Sequence, residues 1–299
     1  LFRSRLGMKT LFAWATSKLA GSPKALPPKT IFRRGDFYEA VTLLPHLPEK
    51  DVKAVLNLPV IQTTLAKPDV ICFSIVDWSF RFQRPQQLMA QFAAHGHRVF
   101  YLNVSDFRSP YAQPKFAVQQ IKENLYEVRI AARSPLELFQ SVIEGKDLEL
   151  TLNSLDELRQ AYNINEAISY VMIPSWTQTA LETKRRWNWQ VVYDCMDEWE
   201  NFPGVKPESL KAEKLLVQNC DLLVVTAQRL FDKWSQPQRP IVLARNAADY
   251  DFYARRCLPN NSLDELSGIG HPIIGYYGAI ADWFDVDLLA EVAQLRPQY

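Results

Sequence analysis

No run of about 18 apolar residues occurs in this 299-residue chain, so nothing in it reads as a membrane-spanning helix. Charge of one sign is missing too. Lys and Arg number 34 against 33 Asp and Glu, and the net charge of +1 gives no global electrostatic case for nucleic acid. A local basic patch stays open. The four cysteines, Cys72, Cys195, Cys220 and Cys257, include no Cys-x-x-Cys pair and are expected to be reduced thiols of a cytosolic protein. Of four histidines, His95 and His97 flank Gly96 at a helix end, where no Cys, Asp or Glu stands at ligand spacing, so no metal is expected. Absent motifs are Gly-x-Ser-x-Gly, the Gly-Lys-Ser/Thr phosphate loop and His-Glu-x-x-His, which lowers the case for hydrolase, ATPase and zinc enzyme. There is no internal repeat.

What is present is a soluble-type composition, 47% hydrophobic and 22% charged, in a length that suits one large or two modest domains. Leu1–Gly21 is basic, with Leu6, Leu11, Phe12, Trp14 and Leu19 between the charges. A signal peptide, an amphipathic helix that touches anionic lipid, and a linker or helix from a preceding segment all fit it, the last best. Ser22–Pro28 has linker composition. The chain begins at Leu1 and stops within the helical pattern Leu288, Leu289, Val292, Leu295, so we expect both ends to be cut.

Regular alternation begins at Asp69. Val70–Val76 is a continuous apolar run, as in a strand buried on both faces. Gln86–His95 has helical spacing, and Gly96 ends it. Arg98–Leu102 is the next strand, completing a βαβ unit. Phe116–Ile121 and Tyr126–Ile130 read as a hairpin. Helices are expected at Ser154–Tyr162, Ser175–Trp187, Pro207–Asn219 and Ala227–Trp234. Strands are expected at Ile168–Ile173, Val191–Asp194, Leu222–Thr226 and Ile241–Leu243. The fold class is therefore α/β, a Rossmann-like, doubly wound, mostly parallel sheet. Asn260–Gly270 reads as a linker, and Pro272–Gly278 as a strand opening a second such domain. The expected division is an extension at 1–66, a first domain at 67–262, and the start of a second at 270–299.

Ligands of open parallel sheets bind beyond the carboxyl ends of the strands. After the first strand, the loop from Asp77 to Gln86 lacks Gly-x-Gly-x-x-Gly, so a dehydrogenase-type dinucleotide site is not expected. It offers an exposed Trp78, with Arg81, Gln83 and Arg84 before a helix N-terminus. Arg forks and helix N–H groups suit phosphate, and Trp suits a sugar or base. The alternative is surface charge plus core packing. After Val191–Tyr193 come Asp194, Asp197 and Glu198. Carboxylates so close repel one another, and such a cluster can hold sugar hydroxyls or act as acid or base. Helix capping by Asp197 is the alternative. Asn246 and Asp249 follow the Ile241–Leu243 strand. Gly275, Tyr277, Gly278, Ala279 and Asp282 close the opening strand of the second domain, where glycine admits a ligand to the backbone. A glycine needed only for helix–strand packing is the alternative there.

Taken in order, these segments resemble glycosyltransferases of the GT-B fold, in the group one (family four) class. The resemblance is carried by Trp78…Gln83-Arg84-Pro85-Gln86 with Gly96-His97-Arg98-Val99, similar to a bacterial subset. It continues in Tyr193-Asp194-Cys195-Met196-Asp197-Glu198-Trp199 with Phe202-Pro203-Gly204. Asp221–Thr226 with Arg245-Asn246-Ala247-Ala248-Asp249 matches where relatives read Asn-Gly-Val-Asp, and Pro272–Gly278 follows. It implies two facing Rossmann-like domains, a glycan or lipid-linked acceptor on the first, and a nucleotide-sugar donor mostly on the second. It implies hexosyl transfer in cell-surface polysaccharide biosynthesis, usually with retention and without an essential metal or other cofactor. It places the protein in the cytoplasm, with possible contact at the inner face of the membrane. It puts Arg81 and Arg84 near acceptor or diphosphate, Asp194 and Asp197 facing the cleft, and Gly278 near the donor phosphates. Stabilising the diphosphate charge and an oxocarbenium-like sugar is the protein's task. Relatives carry a basic residue and a Glu-rich motif later in the second domain, and this chain stops before either. No His lies between His97 and His271, so a carboxylate takes the role of the family's anomeric-side His or that role is absent. A degenerate GT-B scaffold, a sugar-nucleotide epimerase and a phosphorylase stay open.

Overall fold

The structure is a computed structural model that describes residues 67–133, 137, 140–235, 240–254, 273–278, 280 and 284–297. Among these, eight strands form one sheet: β1 (Asp69–Phe73), β2 (Val99–Leu102), β3 (Phe116–Lys122), β4 (Leu125–Ile130), β5 (Ala167–Val171), β6 (Gln190–Cys195), β7 (Leu222–Val225) and β8 (Ile241–Leu243). Their order is β3-β4-β2-β1-β5-β6-β7-β8. Only β3 runs antiparallel, against β4. The helices are α1 (Arg84–Ala94), α2 (Gly145–Ala161), α3 (Thr177–Trp187), α4 (Pro207–Asn219), α5 (Gln228–Trp234), α6 (Tyr250–Ala254) and α7 (Val286–Leu295).

The expected Rossmann-like, doubly wound sheet is what these residues form. The alternation along β1 shows why. Val70 and Cys72 face α1, with Met89, Ala93, Val99, Tyr101 and Tyr170. Ile71 and Phe73 face the other way, onto Leu155 and Leu158 of α2, Ala180 of α3 and Leu216 of α4. Both faces of β1 are therefore apolar, as a central parallel strand requires. α1 begins in a capping box between Gln83 and Gln86, with Pro85 in its first turn, and the chain leaves it through Gly96 at φ +86°. α2 starts nine residues earlier than periodicity predicted. Gly145 opens it after Glu144, whose side chain makes no capping hydrogen bond, so the sequence carries no cap signal there.

The strand order reverses between β1 and β5, and this topological switch point is firmly pinned. The Trp176 indole donates to Ser74 O at 2.9 Å, and Tyr101 Oη donates to Val76 O at 2.6 Å. Asp77 accepts from the backbone of Val104 at 2.7 Å and of Ser105 at 3.2 Å. The loops after β1, β2 and β5 are thus tied together where such folds hold ligands.

By compactness the chain divides after Ala248. The second unit's described residues include α6 and α7. The strand expected at Pro272–Gly278 pairs with no other strand over 273–278. A strand needs a hydrogen-bonding neighbour, and none of the described residues supplies one. Ile274 is 68% and Tyr277 100% exposed. The extension at 1–66, the linker at 260–270 and Cys257 lie outside the described residues.

Candidate functional site

Arg84 opens α1, and its guanidinium joins three segments. Nε and Nη2 donate to Asp194 Oδ2 at 2.9 Å and Oδ1 at 2.8 Å. Nη1 donates to Ala244 O at 3.0 Å and Asn246 Oδ1 at 3.3 Å. Asp194 is wholly buried at the end of β6, where the strand's alternation turns Val192 and Asp194 toward the α1 face. Tyr170 on β5 lies beside the same carboxylate and helps to favour its charged form. Burial pushes the Asp194 carboxyl up, and Arg84 opposes that shift. For Arg84, burial favours loss of the proton, but the hydrogen bond and charge of Asp194 outweigh it and hold the guanidinium charged. We take the pair as ionised, because bidentate geometry satisfies both groups at once.

This geometry changes the reading of two predicted residues. Asp194, expected as a catalytic carboxylate, has both oxygens committed and no exposed surface. It suits an anchor better than an acid or base. Arg84, expected to meet phosphate, has its charge compensated. Gln83 and Gln86 are likewise occupied by the capping box, and the buried Gln86 carboxamide donates to Asp77 O and Trp78 O. Trp78 is half-buried rather than exposed, packed edge-on against Phe82 at 5.6 Å and Tyr101 at 5.4 Å.

Two residues beside the clamp keep free chemistry. Arg81, three residues before Arg84, is exposed, lies 5.2 Å from the centre of the Phe80 ring, and pairs with no carboxylate among the described residues. Asp197, three residues after Asp194, is half-buried and meets no cation among the described residues. Burial, then the Asp194 charge, pushes its carboxyl up. Glu198 differs. It pairs with Arg229 at 3.0 Å and accepts from Asn201 at 2.7 Å.

Among the predicted residues, the structure brings together Arg84, Asp194 and Asn246, with the Trp78–Gln83 and Met196–Glu198 loops beside them. Asp249 belongs to the other compact unit, where its carboxylate accepts from Phe252 N at 3.0 Å and caps α6. Gly275, Tyr277 and Gly278 also lie in that unit. A Cβ on Gly278 would stand 2.5 Å from Tyr276 Oη. Ala279 and Asp282 lie outside the described residues. Sequence reading missed Tyr170, whose buried place in β5 gives no polar signal. It also missed Asp77, Tyr193 and Glu213, which act through contacts distant in sequence. Among the described residues, no three His, Cys, Asp or Glu side chains gather as metal ligands, and no helix is long and apolar enough to cross a membrane.

No protein-family model matches the chain, and no curated protein matches it. Solved structures do. A sucrose-phosphate synthase structure from Thermosynechococcus elongatus is 14% identical, with TM-score 0.43, over 64% of this chain and 94% of that one. A longer structure of that enzyme is 13% identical, with TM-score 0.43, over 60% of this chain and 48% of that one. Starch Synthase IV from Arabidopsis thaliana, bound to ADP and acarbose, is 10% identical, with TM-score 0.37, over 62% and 53%. The chain thus spans about half the length of these two longer proteins.

Proposed function

We propose that this chain is the acceptor-side part of a nucleotide-sugar-dependent glycosyltransferase. The observation that carries the reading is the Arg84–Asp194 clamp. It draws the loops after β1 and β6 to one rim and leaves Arg81 and Asp197 uncommitted there. That rim stands at the carboxyl ends of parallel strands, and its residues are those of the GT-B resemblance. Asp197, half-buried and with its carboxyl pushed up by burial and then by the Asp194 charge, suits a hydrogen bond or proton transfer with an acceptor hydroxyl. Arg81 offers charge to the diphosphate that develops at transfer. Trp78 and Phe82 supply an apolar wall for a sugar face.

In this reading Gly275, Tyr277, Gly278, Ala279 and Asp282 serve the donor. The transfer is of a hexosyl group to a glycan or lipid-linked acceptor, in cell-surface polysaccharide synthesis in the cytoplasm. No metal or other cofactor is assigned a role.

A donor screen on the full-length protein tests this. UDP-, GDP- and ADP-sugars are offered with sugar acceptors, and nucleotide release is followed. One donor class is expected to release nucleotide in an acceptor-dependent way. Release from none of them by folded protein would overturn the reading.

A further inference from the structure

Beneath the Asp197 loop lies a buried polar chain for which the transfer reaction gives no direct use. Glu213 projects from α4 toward the end of β6 and is 2% exposed. The Trp199 indole N–H donates to Tyr193 Oη at 2.8 Å, and Tyr193 O–H donates onward to Glu213 Oε1 at 3.0 Å. The Cys195 thiol lies 3.6 Å from the same Glu213 oxygen and 3.7 Å from Asp197 O. Thr226 Oγ1 donates to Met196 O at 2.7 Å. The Met196–Trp199 loop is therefore held at Met196 O by Thr226 and at the Trp199 indole by Tyr193, whose own proton ends on Glu213, while the single Cys195 proton serves either Asp197 O or Glu213.

A carboxyl in that place is costly, because its hydrogen-bonding partners are neutral and burial opposes its charge. An apolar side chain would fill the space without that cost. The direction of the chain shows what the carboxyl supplies. Tyr193 must accept from Trp199, so its own proton needs an acceptor, and Glu213 is that acceptor.

We propose that Glu213 is a positioning residue that, through Tyr193 and the Trp199 indole, fixes the Met196–Trp199 loop and so holds Asp197 against the acceptor. The proposal rests on the function proposed above.

Hydrogen exchange on the full-length protein tests it, with Glu213→Leu, Glu213→Gln, Tyr193→Phe and Trp199→Phe. Glu213→Leu and Tyr193→Phe are expected to speed exchange across Met196–Asn201 at least tenfold, with β1 and β2 unchanged. Glu213→Gln keeps an acceptor oxygen and is expected to restore wild-type protection. Trp199→Phe keeps a ring but loses the donor, and reports on the link even if Glu213→Leu folds poorly. Unchanged loop exchange in Tyr193→Phe and Trp199→Phe, or equal acceleration everywhere, would overturn the proposal. In the nucleotide-release assay, the same loop-loosening variants are expected to raise the acceptor KM about tenfold, with Glu213→Gln near wild type. If wild type releases no nucleotide, the functional reading fails, while the exchange pattern still decides whether Glu213 positions the loop.

Discussion

Arg84 and Asp194, 110 residues apart in sequence, meet in a bidentate pair at 2.9 and 2.8 Å, with the carboxylate wholly buried. Removing one partner of such a pair strands the other charge, which costs about 3–5 kcal/mol. Asp194→Ala and Arg84→Met should each lower the urea midpoint accordingly. The double variant should cost less than the two single losses added together, because no charge is left unpaired. Additive losses would show that the pair is not coupled.

Asp197→Asn should behave differently. Its side chain meets no cation among the described residues, so the melting temperature should hardly move. Turnover should fall by about 100-fold or more, the usual scale for a proton-transferring group. Glu198→Gln breaks the pair with Arg229, which is 77% exposed, and should cost only ~0–1 kcal/mol. Parallel losses of melting temperature and unchanged turnover in Asp197→Asn would remove Asp197 from the site.

Arg81→Ala tests the uncompensated cation. As an exposed side chain with no carboxylate partner among the described residues, it should change stability by about 0.5 kcal/mol or less. It should nevertheless weaken the productive complex, seen as a lower kcat/KM in nucleotide release. A variant indistinguishable from wild type in kcat/KM would leave Arg81 as surface charge.

Much of this fold is legible in the sequence, and the reason is visible at β1. Val70–Phe73 must be apolar on both faces, so a continuous run marks the strand, and Gly96 marks the end of α1. The pairing of Arg84 with Asp194 is not legible. It depends on β6 lying two places from β1 in the sheet, and on Asp194 sharing the parity of Val192 rather than of Tyr193. Topology sets that contact, and no local spacing reports it. Asp197 stands out in the sequence as a carboxylate just after a strand end, and the structure leaves it half-buried there. Glu213 does not stand out, since one acid within a helix reads as solvent-facing until the packing of α4 turns it inward. Pro272–Gly278 has strand-like composition, but composition supplies no neighbour to pair with.

The Glu213 carboxyl also gives a pH signature. Burial pushes it above its usual value of 4.5, with the Tyr193 hydrogen bond, Lys233 and Cys195 opposing and Glu200 reinforcing the shift. The folded state therefore holds this proton more tightly than the unfolded chain. The resulting stabilisation is present below 4.5 and is lost as pH rises through the folded value. The urea midpoint of wild type should fall relative to Glu213→Gln as pH rises through that window. Parallel curves for the two proteins would contradict it.

The most direct measurement is the initial rate of acceptor-dependent nucleotide release by the full-length protein, wild type beside Asp197→Asn, at matched folded concentration. The account predicts release by wild type from one class of nucleotide-sugar, and a loss of about 100-fold in the variant. Equal rates in the two proteins, or no release from any donor by folded wild type, would contradict it.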